Sequence, residues 1–311
     1  MATMKAVRLH GYGGPEMLRY EDCPRPEPVA GEVLVRVHAA GVNPVDWKIR
    51  AGYARGFLDY SLPIVIGWDL SGVVESVGAG VSEWKPGDEV YSRPDILRAG
   101  AYAEYIVVRA SEIALKPKSL DHAHAAAIPL AALTAWQALE AGGLSANQKV
   151  LIHAAAGGVG IFAVQFAKLK GARVAGTASG RNQEFLKELG VDQPINYETT
   201  RFEDVVNDAD MVLDAMAGEI RTRSWKTLKK GGILISILGP ASEEEARAHG
   251  VRQAGVMVQA NGAQLAEIAR LVDAGKLKVY LDAVLPLNEV AKAHEMNATG
   301  HTRGKIVLQV G

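Results

Sequence analysis

Over the first 120 residues the apolar positions come in short runs rich in Val, Ile and Tyr: Lys5–Leu9, Glu32–Ala40, Ser71–Val77, Glu89–Tyr91 and Ala103–Val108. Clusters of glycine and proline separate them, at Gly13-Gly14-Pro15, Pro24-Arg25-Pro26, Gly78-Ala79-Gly80 and Pro86-Gly87-Asp88. This spacing predicts short strands joined by tight turns in a partly closed barrel. Near Asp121 the texture changes. Asp121–Ala141 is rich in Ala and Leu and contains Pro129, so it reads as helix, break, helix.

From Lys149 an alternation begins. Lys149–His153, Arg173–Ala178, a short segment before Tyr197, Asp210–Asp214 and Ile233–Leu238 read as strands. Gly160–Lys170, Asn182–Leu189 and Ile220–Lys229 read as the helices between them. Strands spaced by helices of this length predict βαβ units and a parallel sheet. The tail predicts a helix at Gln264–Ala274, a mixed segment at Val279–Leu287, a helix at Asn288–Asn297 and a last strand at Lys305–Val310. That strand has no sheet partner nearby in sequence, so it is expected to return to the barrel and make the first domain discontinuous.

Composition narrows the function classes. A chain of 311 residues suits two domains. Its 34 Lys and Arg against 35 Asp and Glu give a net charge of −1, so no basic field argues for nucleic acid. The opening Met-Ala-Thr-Met-Lys-Ala-Val lacks the layout of a signal peptide, and the runs around Ala125–Leu133 and Ala154–Val164 are too short for a membrane span. The single cysteine, Cys23, excludes an internal disulfide and a cysteine-built zinc site. The expectation is a cytoplasmic enzyme that acts on neither membrane nor nucleic acid.

The most informative stretch is Val150–Gly160, where an apolar strand runs into a turn of small residues and then a helix. Ala154, Gly157 and Gly160 stand at the small positions of a G-x-G-x-x-G fingerprint, and Ala156, Gly158 and Val159 complete the loop. Small residues let the backbone approach a pyrophosphate, which free N–H groups and the positive helix end would receive. The alternative is a tight strand–helix packing turn. The next strand ends Thr177-Ala178-Ser179-Gly180-Arg181, without the carboxylate that holds the ribose of NAD. Ser179 and Arg181 suit a 2′-phosphate, and Tyr197 could cover it, so NADP is favoured over NAD.

The eight histidines show no ligand spacing. His122 and His124, two apart on a helix, diverge by about 200°. His153 is expected to be packed and bonded to backbone. No metal is expected.

Ordered motifs along almost the whole chain carry a family resemblance: Met4–Val7, Gly41-Val-Asn-Pro-Val-Asp46, Gly67–Gly78, Gly87–Val90, Gly100–Tyr105, Ala132–Trp136, Ala154–Gly160 and Gly300–Val307. The chain resembles the zinc-independent quinone oxidoreductases of the medium-chain dehydrogenase/reductase superfamily. In the zinc-dependent relatives a cysteine stands at the position of Asn43 and a Gly-His-Glu at Gly67-Trp68-Asp69. The resemblance implies an α/β protein with a GroES-like, β-rich catalytic domain at 1–124 and 266–311 and a Rossmann domain with a doubly wound parallel sheet at 125–265. It implies Asn43 and Asp46 as a polar pair beside the nicotinamide, Tyr53 in the substrate pocket, and Thr134 facing the carboxamide. Leu238-Gly239 would form a nicotinamide loop, with Arg303 and Lys305 near the cofactor.

Hydride transfer from NADPH to a quinone or an enone is the implied reaction. Tyr53 either delivers the proton or only shapes the pocket. Asp46 is either a relay or a structural hydrogen-bond acceptor. A competing reading is an NADPH-binding sensor with little turnover. A homodimer is expected, joined through an edge strand at Gly255–Gln259.

Overall fold

The structure, a computed structural model, describes residues 2–311. In chain order the elements begin β1 (Thr3–Leu9), β2 (Leu18–Pro24), β3 (Glu32–Val42), α1 (Pro44–Arg50), β4 (Ile64–Val65), β5 (Leu70–Val77), β6 (Glu89–Ser92), β7 (Tyr105–Arg109) and β8 (Ile113–Leu115). Then come α2 (His122–Ala126), α3 (Pro129–Ala141), β9 (Lys149–Ile152), α4 (Gly158–Leu169), β10 (Arg173–Ala178), α5 (Gln183–Leu189) and β11 (Gln193–Asn196). They continue with α6 (Phe202–Val205), β12 (Ala209–Asp214), α7 (Gly218–Ser224), β13 (Leu228–Ser236), α8 (Glu243–Ala248) and β14 (Arg252–Gly255). The chain closes with α9 (Gly262–Asp273), β15 (Leu281–Pro286), α10 (Val290–Ala298) and β16 (Lys305–Gln309). Two compact units result: residues up to Leu130 together with Gln259–Gly311, and Ala131–Val258.

The first unit is built around β3. Val33, Val35, Val37, Ala39 and Ala40 are buried along its length, and it pairs antiparallel with β5, β7 and β16. The last strand therefore does return across the chain, with Ile306 opposite Val42 and Gln309 opposite Ala39. A smaller antiparallel sheet runs β2-β1-β4. The edge strand β2 carries Arg19, Glu21 and Asp22, so charge hides the alternation that marks a strand, and its sequence showed only the closing Pro24-Arg25-Pro26. In α9, Leu265, Ile268, Ala269 and Val272 recur at helical spacing and are buried, and the Asn261 side chain caps it by accepting from the Gln264 N–H at 2.9 Å.

The second unit is a six-stranded parallel sheet in the order β11-β10-β9-β12-β13-β14. Strand order reverses direction between β9 and β12, which makes that gap the switch point where such sheets bind ligands. Helix α4 buries residues Gly160–Ala167 on every face, as its all-round apolar sequence requires. The edge strand lies at Arg252–Gly255, upstream of the expected Gly255–Gln259, and the chain from Val256 is irregular. Its register explains the shift: Arg252–Gly255 lie opposite Ile233–Ser236, and Ser236 is the last residue of β13, so the ladder has no partner further on.

One glycine holds the first unit's core together sterically. Gly67 has φ +90°, and a Cβ there would stand 2.3 Å from the Tyr102 ring. Gly67→Ala should lower the stability of the chain by about 3 kcal/mol, the sum of a left-handed alanine and an overpacked ring, as read by urea denaturation.

Candidate active site

In the first unit a buried polar cluster forms where β3 runs into α1. Pro44 starts the helix and Asn43 precedes it as the N-cap. The cap is reciprocal in part: Asp46 Oδ2 accepts from the Asn43 N–H at 2.8 Å. The Asn43 side chain turns to other partners. Its Nδ2 donates to Asp69 Oδ2 at 2.8 Å, and its Oδ1 accepts a short hydrogen bond from the Lys305 ammonium. Lys305 Nζ also donates to Val42 O at 3.0 Å and to Asp69 Oδ2 at 3.2 Å. Asp69 Oδ1 accepts from the Leu130 N–H at 2.6 Å. All four side chains, Asn43, Asp46, Asp69 and Lys305, are buried.

Burial governs the carboxyls. It pushes Asp69 up from the usual carboxylate range against the pull of Lys305. It pushes Asp46 up to about 7, although Tyr102 Oη donates to Oδ2 at 2.7 Å and the Asn43 N–H does the same. Asp46 Oδ1 is buried without a hydrogen-bond partner. Sequence spacing brings only Asn43 and Asp46 together, three residues apart at the start of α1. Asp69 and Lys305 lie 236 residues apart, and Tyr102 stood in the Gly100–Tyr105 motif with no role assigned to it.

Tyr53 lies on the turn after α1 and is 76% exposed, its ring edge-on to Trp47 at 6.1 Å. It is not part of the buried cluster. Arg303 is exposed two residues before the buried Lys305.

In the second unit β9 ends at Ile152, His153 follows it, the turn of small residues runs over 154–157, and α4 begins at Gly158 with Gly157 as N-cap. The first N–H groups of the helix, at Gly158, Val159 and Gly160, have no acceptor within it. The turn is tight: a Cβ on Gly160 would stand 2.2 Å from Ala154 O. Ala155 and Ala156 are buried beneath it, and Ala154 takes a left-handed φ of +51°. These residues fit a dinucleotide pyrophosphate, because the turn offers outward N–H groups and no side chain larger than Val159.

Behind the turn, His153 is 1% exposed and bonds hydroxyls, not the backbone that was expected: Nε2 meets Ser224 Oγ at 2.8 Å and Nδ1 meets Thr177 Oγ1 at 3.2 Å. Ser224 Oγ donates to Ile220 O, so it accepts from His153 Nε2–H, and Nδ1 accepts from Thr177. Burial pushes this histidine down to about 4 and keeps it neutral.

The end of β10 places Ser179, Gly180 and Arg181 in one turn, with Ser179 buried and Arg181 exposed. Tyr197, half exposed, follows β11, whose neighbour in the sheet is β10, and its N–H donates to Ala178 O at 3.2 Å. Leu238 and Gly239 follow β13, and Thr134 is buried in α3. One group escaped the sequence altogether: Arg221 on α7, which bonds the ends of β12 and β13. A cavity of about 380 Å³ in this unit is lined by Asp210, Lys229 and Arg252, near where the strands begin, so it is not the switch-point crevice.

Comparisons with known proteins give the family of the chain. Residues 29–118 match the alcohol dehydrogenase GroES-like domain family and residues 189–308 the zinc-binding dehydrogenase family. The chain is 34% identical to the mitochondrial NAD(P)H oxidoreductase RTN4IP1 of Mus musculus, over 99% of this chain and 89% of that protein. It is 36% identical to the chloroplastic NADPH-dependent alkenal/one oxidoreductase of Arabidopsis thaliana, over 98% of this chain and 79% of that protein. Among solved structures, the quinone oxidoreductase of Coxiella burnetii superposes with a TM-score of 0.93 at 37% identity, covering 100% of both chains.

The donor set at Asn43 and Asp69 does not fit a zinc ion. An amide, a carboxylate and an ammonium already satisfy one another there, and among the described residues no group of three His, Cys, Asp or Glu side chains is arranged to hold a metal.

Two substitutions test the site's energetics. A raised Asp46 pKa means the folded chain binds more protons than the unfolded chain between about pH 4 and 7, so stability falls as pH rises through that window, by at most about 1.4 kcal/mol per unit. Asp69 adds a slope of the same sign. Asp46→Asn should remove the Asp46 share, so its stability relative to the parent rises from pH 5 to pH 8 in denaturant titrations. Ala154→Gly should stabilise the chain by about 1 kcal/mol by relieving the left-handed alanine, visible as a higher melting temperature.

Proposed function

Because the chain belongs to the quinone oxidoreductase family of the medium-chain dehydrogenase/reductases, and is therefore an NAD(P)H-dependent oxidoreductase, we propose that it reduces quinones or α,β-unsaturated carbonyls with NADPH and without zinc. The observation that carries this reading is the committed Lys305 ammonium. All three of its N–H donors are taken by Val42 O, Asn43 Oδ1 and Asp69 Oδ2, so a cation of the chain itself fills the centre of the donor set.

NADPH, when bound, supplies the hydride. The turn Ala156–Gly160 receives the pyrophosphate on its N–H groups, and Ser179, Arg181 and Tyr197 receive the 2′-phosphate. The segment Ser179–Arg181 itself carries no acidic residue, which supports NADPH over NADH. The Glu198 carboxylate reaches the same turn from the loop after β11 and accepts there from the Gly180 N–H at 2.8 Å.

Asn43 keeps one amide N–H beyond the one given to Asp69, and this is the buried donor available to a developing oxyanion. The exposed Tyr53 hydroxyl lines the acceptor site and either donates the proton or leaves that to water. The plant alkenal/one oxidoreductase and the bacterial quinone oxidoreductase support the two acceptor classes about equally. The edge strand β14 is the surface through which two copies would pair.

The test follows NADPH and NADH oxidation by EDTA-treated protein against benzoquinones, naphthoquinones and enones. Turnover with NADPH should survive the chelator. Loss of activity restored by added zinc would overturn the metal-free reading, and NADPH binding with no turnover on any acceptor would point to a sensor.

A further inference from the structure

We propose that Arg221, with Asp214 and Ser236, is a positioning clamp that sets the two loops receiving the nicotinamide half of the dinucleotide. The proposal rests on the dinucleotide reading above and adds to it which residues hold the second half of the site.

The clamp joins the ends of neighbouring strands. Asp214 ends β12 and Ser236 ends β13, and the two are register partners. Arg221 Nε donates to Asp214 Oδ2 at 2.6 Å, and Nη2 donates to Ser236 Oγ at 2.7 Å. The same guanidinium reaches the loop after β13 at Pro240 O, 3.3 Å, and Gly239 O, 3.4 Å. Asp214 Oδ1 accepts from the loop after β12, from Met216 N–H at 2.9 Å and Ala217 N–H at 2.8 Å. Ser236 Oγ accepts in turn from Leu238 N–H at 3.1 Å. Two loops are thus wired to one ion pair whose carboxylate is fully buried.

Stability alone is a weak reason for such a pair, since well-packed apolar residues of similar volume commonly serve as well or better. What the pair does supply is geometry. It holds Ala217 at a φ of +57° and Gly239 at +87°, and the two loops leave Met216 about half and Leu238 more than a third exposed.

Strand order says what those loops face. The glycine turn follows β9, and β10, with Ser179 and Arg181, lies on one side of it. β12 and β13 lie on the other side. A dinucleotide centred by its pyrophosphate on the turn, with its 2′-phosphate half over β10, must lay its other half over the carboxyl ends of β12 and β13. Met216 and Leu238 then offer apolar surface to the ring, held in place by Arg221.

The experiment compares two ligands on one protein by calorimetric titration: NADPH, which spans both halves, and adenosine 2′,5′-bisphosphate, which reads only the β10 side. Arg221→Lys keeps a charge beside Asp214 but cannot reach both strands and both carbonyls. It should weaken NADPH binding about tenfold and leave the bisphosphate within twofold. Ser236→Ala, which removes one anchor and leaves the ion pair, should show the same selectivity to a smaller degree, and it serves as the test if Arg221→Lys does not fold. Equal weakening of both ligands would mean the clamp only supports the unit's structure, and no change in either would mean it does not position the loops; each overturns the proposal. If the parent protein binds neither ligand, the dinucleotide reading itself fails and the clamp with it.

Discussion

The Lys305 ammonium, buried and divided among Val42 O, Asn43 Oδ1 and Asp69 Oδ2, is the interaction on which the polar interior of the first unit depends. Taking an ammonium and a carboxylate out of water costs several kcal/mol per ion, and attraction repays it only when the remaining donors and lone pairs are satisfied. Here they are. Asp69 Oδ1 takes the Leu130 N–H and Oδ2 takes Asn43, so the carboxylate is held from β3, from the start of α3 and from the closing strand at once. Lys305 comes from β16, which explains why the chain must return to β3 in one register: a shift by one residue would turn the ammonium to the opposite face and leave Asp69 buried and unpaired.

The second unit solves the opposite problem. In the proposed function it must receive a polyanion, yet the turn after β9 contains no basic side chain. The positive potential comes from backbone N–H groups at the start of α4. Such groups work only if they are aimed, and the aim is set from behind by neutral hydrogen bonds. His153 ties the base of the turn to Thr177 on β10 and Ser224 on α7, and burial keeps it uncharged. Across the switch point the Asp214–Arg221 pair does the corresponding work for the loops after β12 and β13. Burial alone would raise the Asp214 pKa, but the Met216 and Ala217 N–H groups and Arg221 outweigh it and hold the carboxyl below its usual range, so the anchor stays charged.

What could be read in advance follows from how far apart the cooperating residues lie. The glycine turn was legible because strand, turn and helix are contiguous between Lys149 and Leu169. The alternation of β9, β10, β12 and β13 was legible because each carries a buried apolar run, whereas β11, with only Ile195 buried, showed only as a short segment before Tyr197. Strand β2 was not, since its edge position is paired with charge. The edge strand β14 was misplaced because Arg252-Gln253-Ala254-Gly255 has no strand-like composition, and its extent is set by where β13 ends. The identity of Asn43 could be noted from the residues around it, but not its partners: Asp69 is 26 residues on and Lys305 another 236. Arg221 read as an ordinary cation on a short helix, because its meaning lies in the two strand ends it spans.

The committed ammonium also constrains the chemistry. A zinc ion with an open position would polarise a carbonyl directly and make an isolated ketone or aldehyde carbon a hydride acceptor. Lys305 supplies a positive charge but no free donor, so it acts on the buried carboxylates and not on a substrate oxygen. On the proposed reading, with one amide N–H at Asn43 as the buried donor, electrophilic help is limited to a single oxyanion contact, worth about 3 to 4 kcal/mol. The acceptor must then bring its own activation. In a quinone or an enone the charge left by hydride addition spreads over a conjugated system ending at oxygen, so the carbon attacked need not be the carbon whose oxygen is stabilised. In the proposed function the lysine that satisfies Asp69 thereby favours conjugated acceptors over simple carbonyls, so the electrostatics of the first unit support the proposed substrate class as much as kinship does.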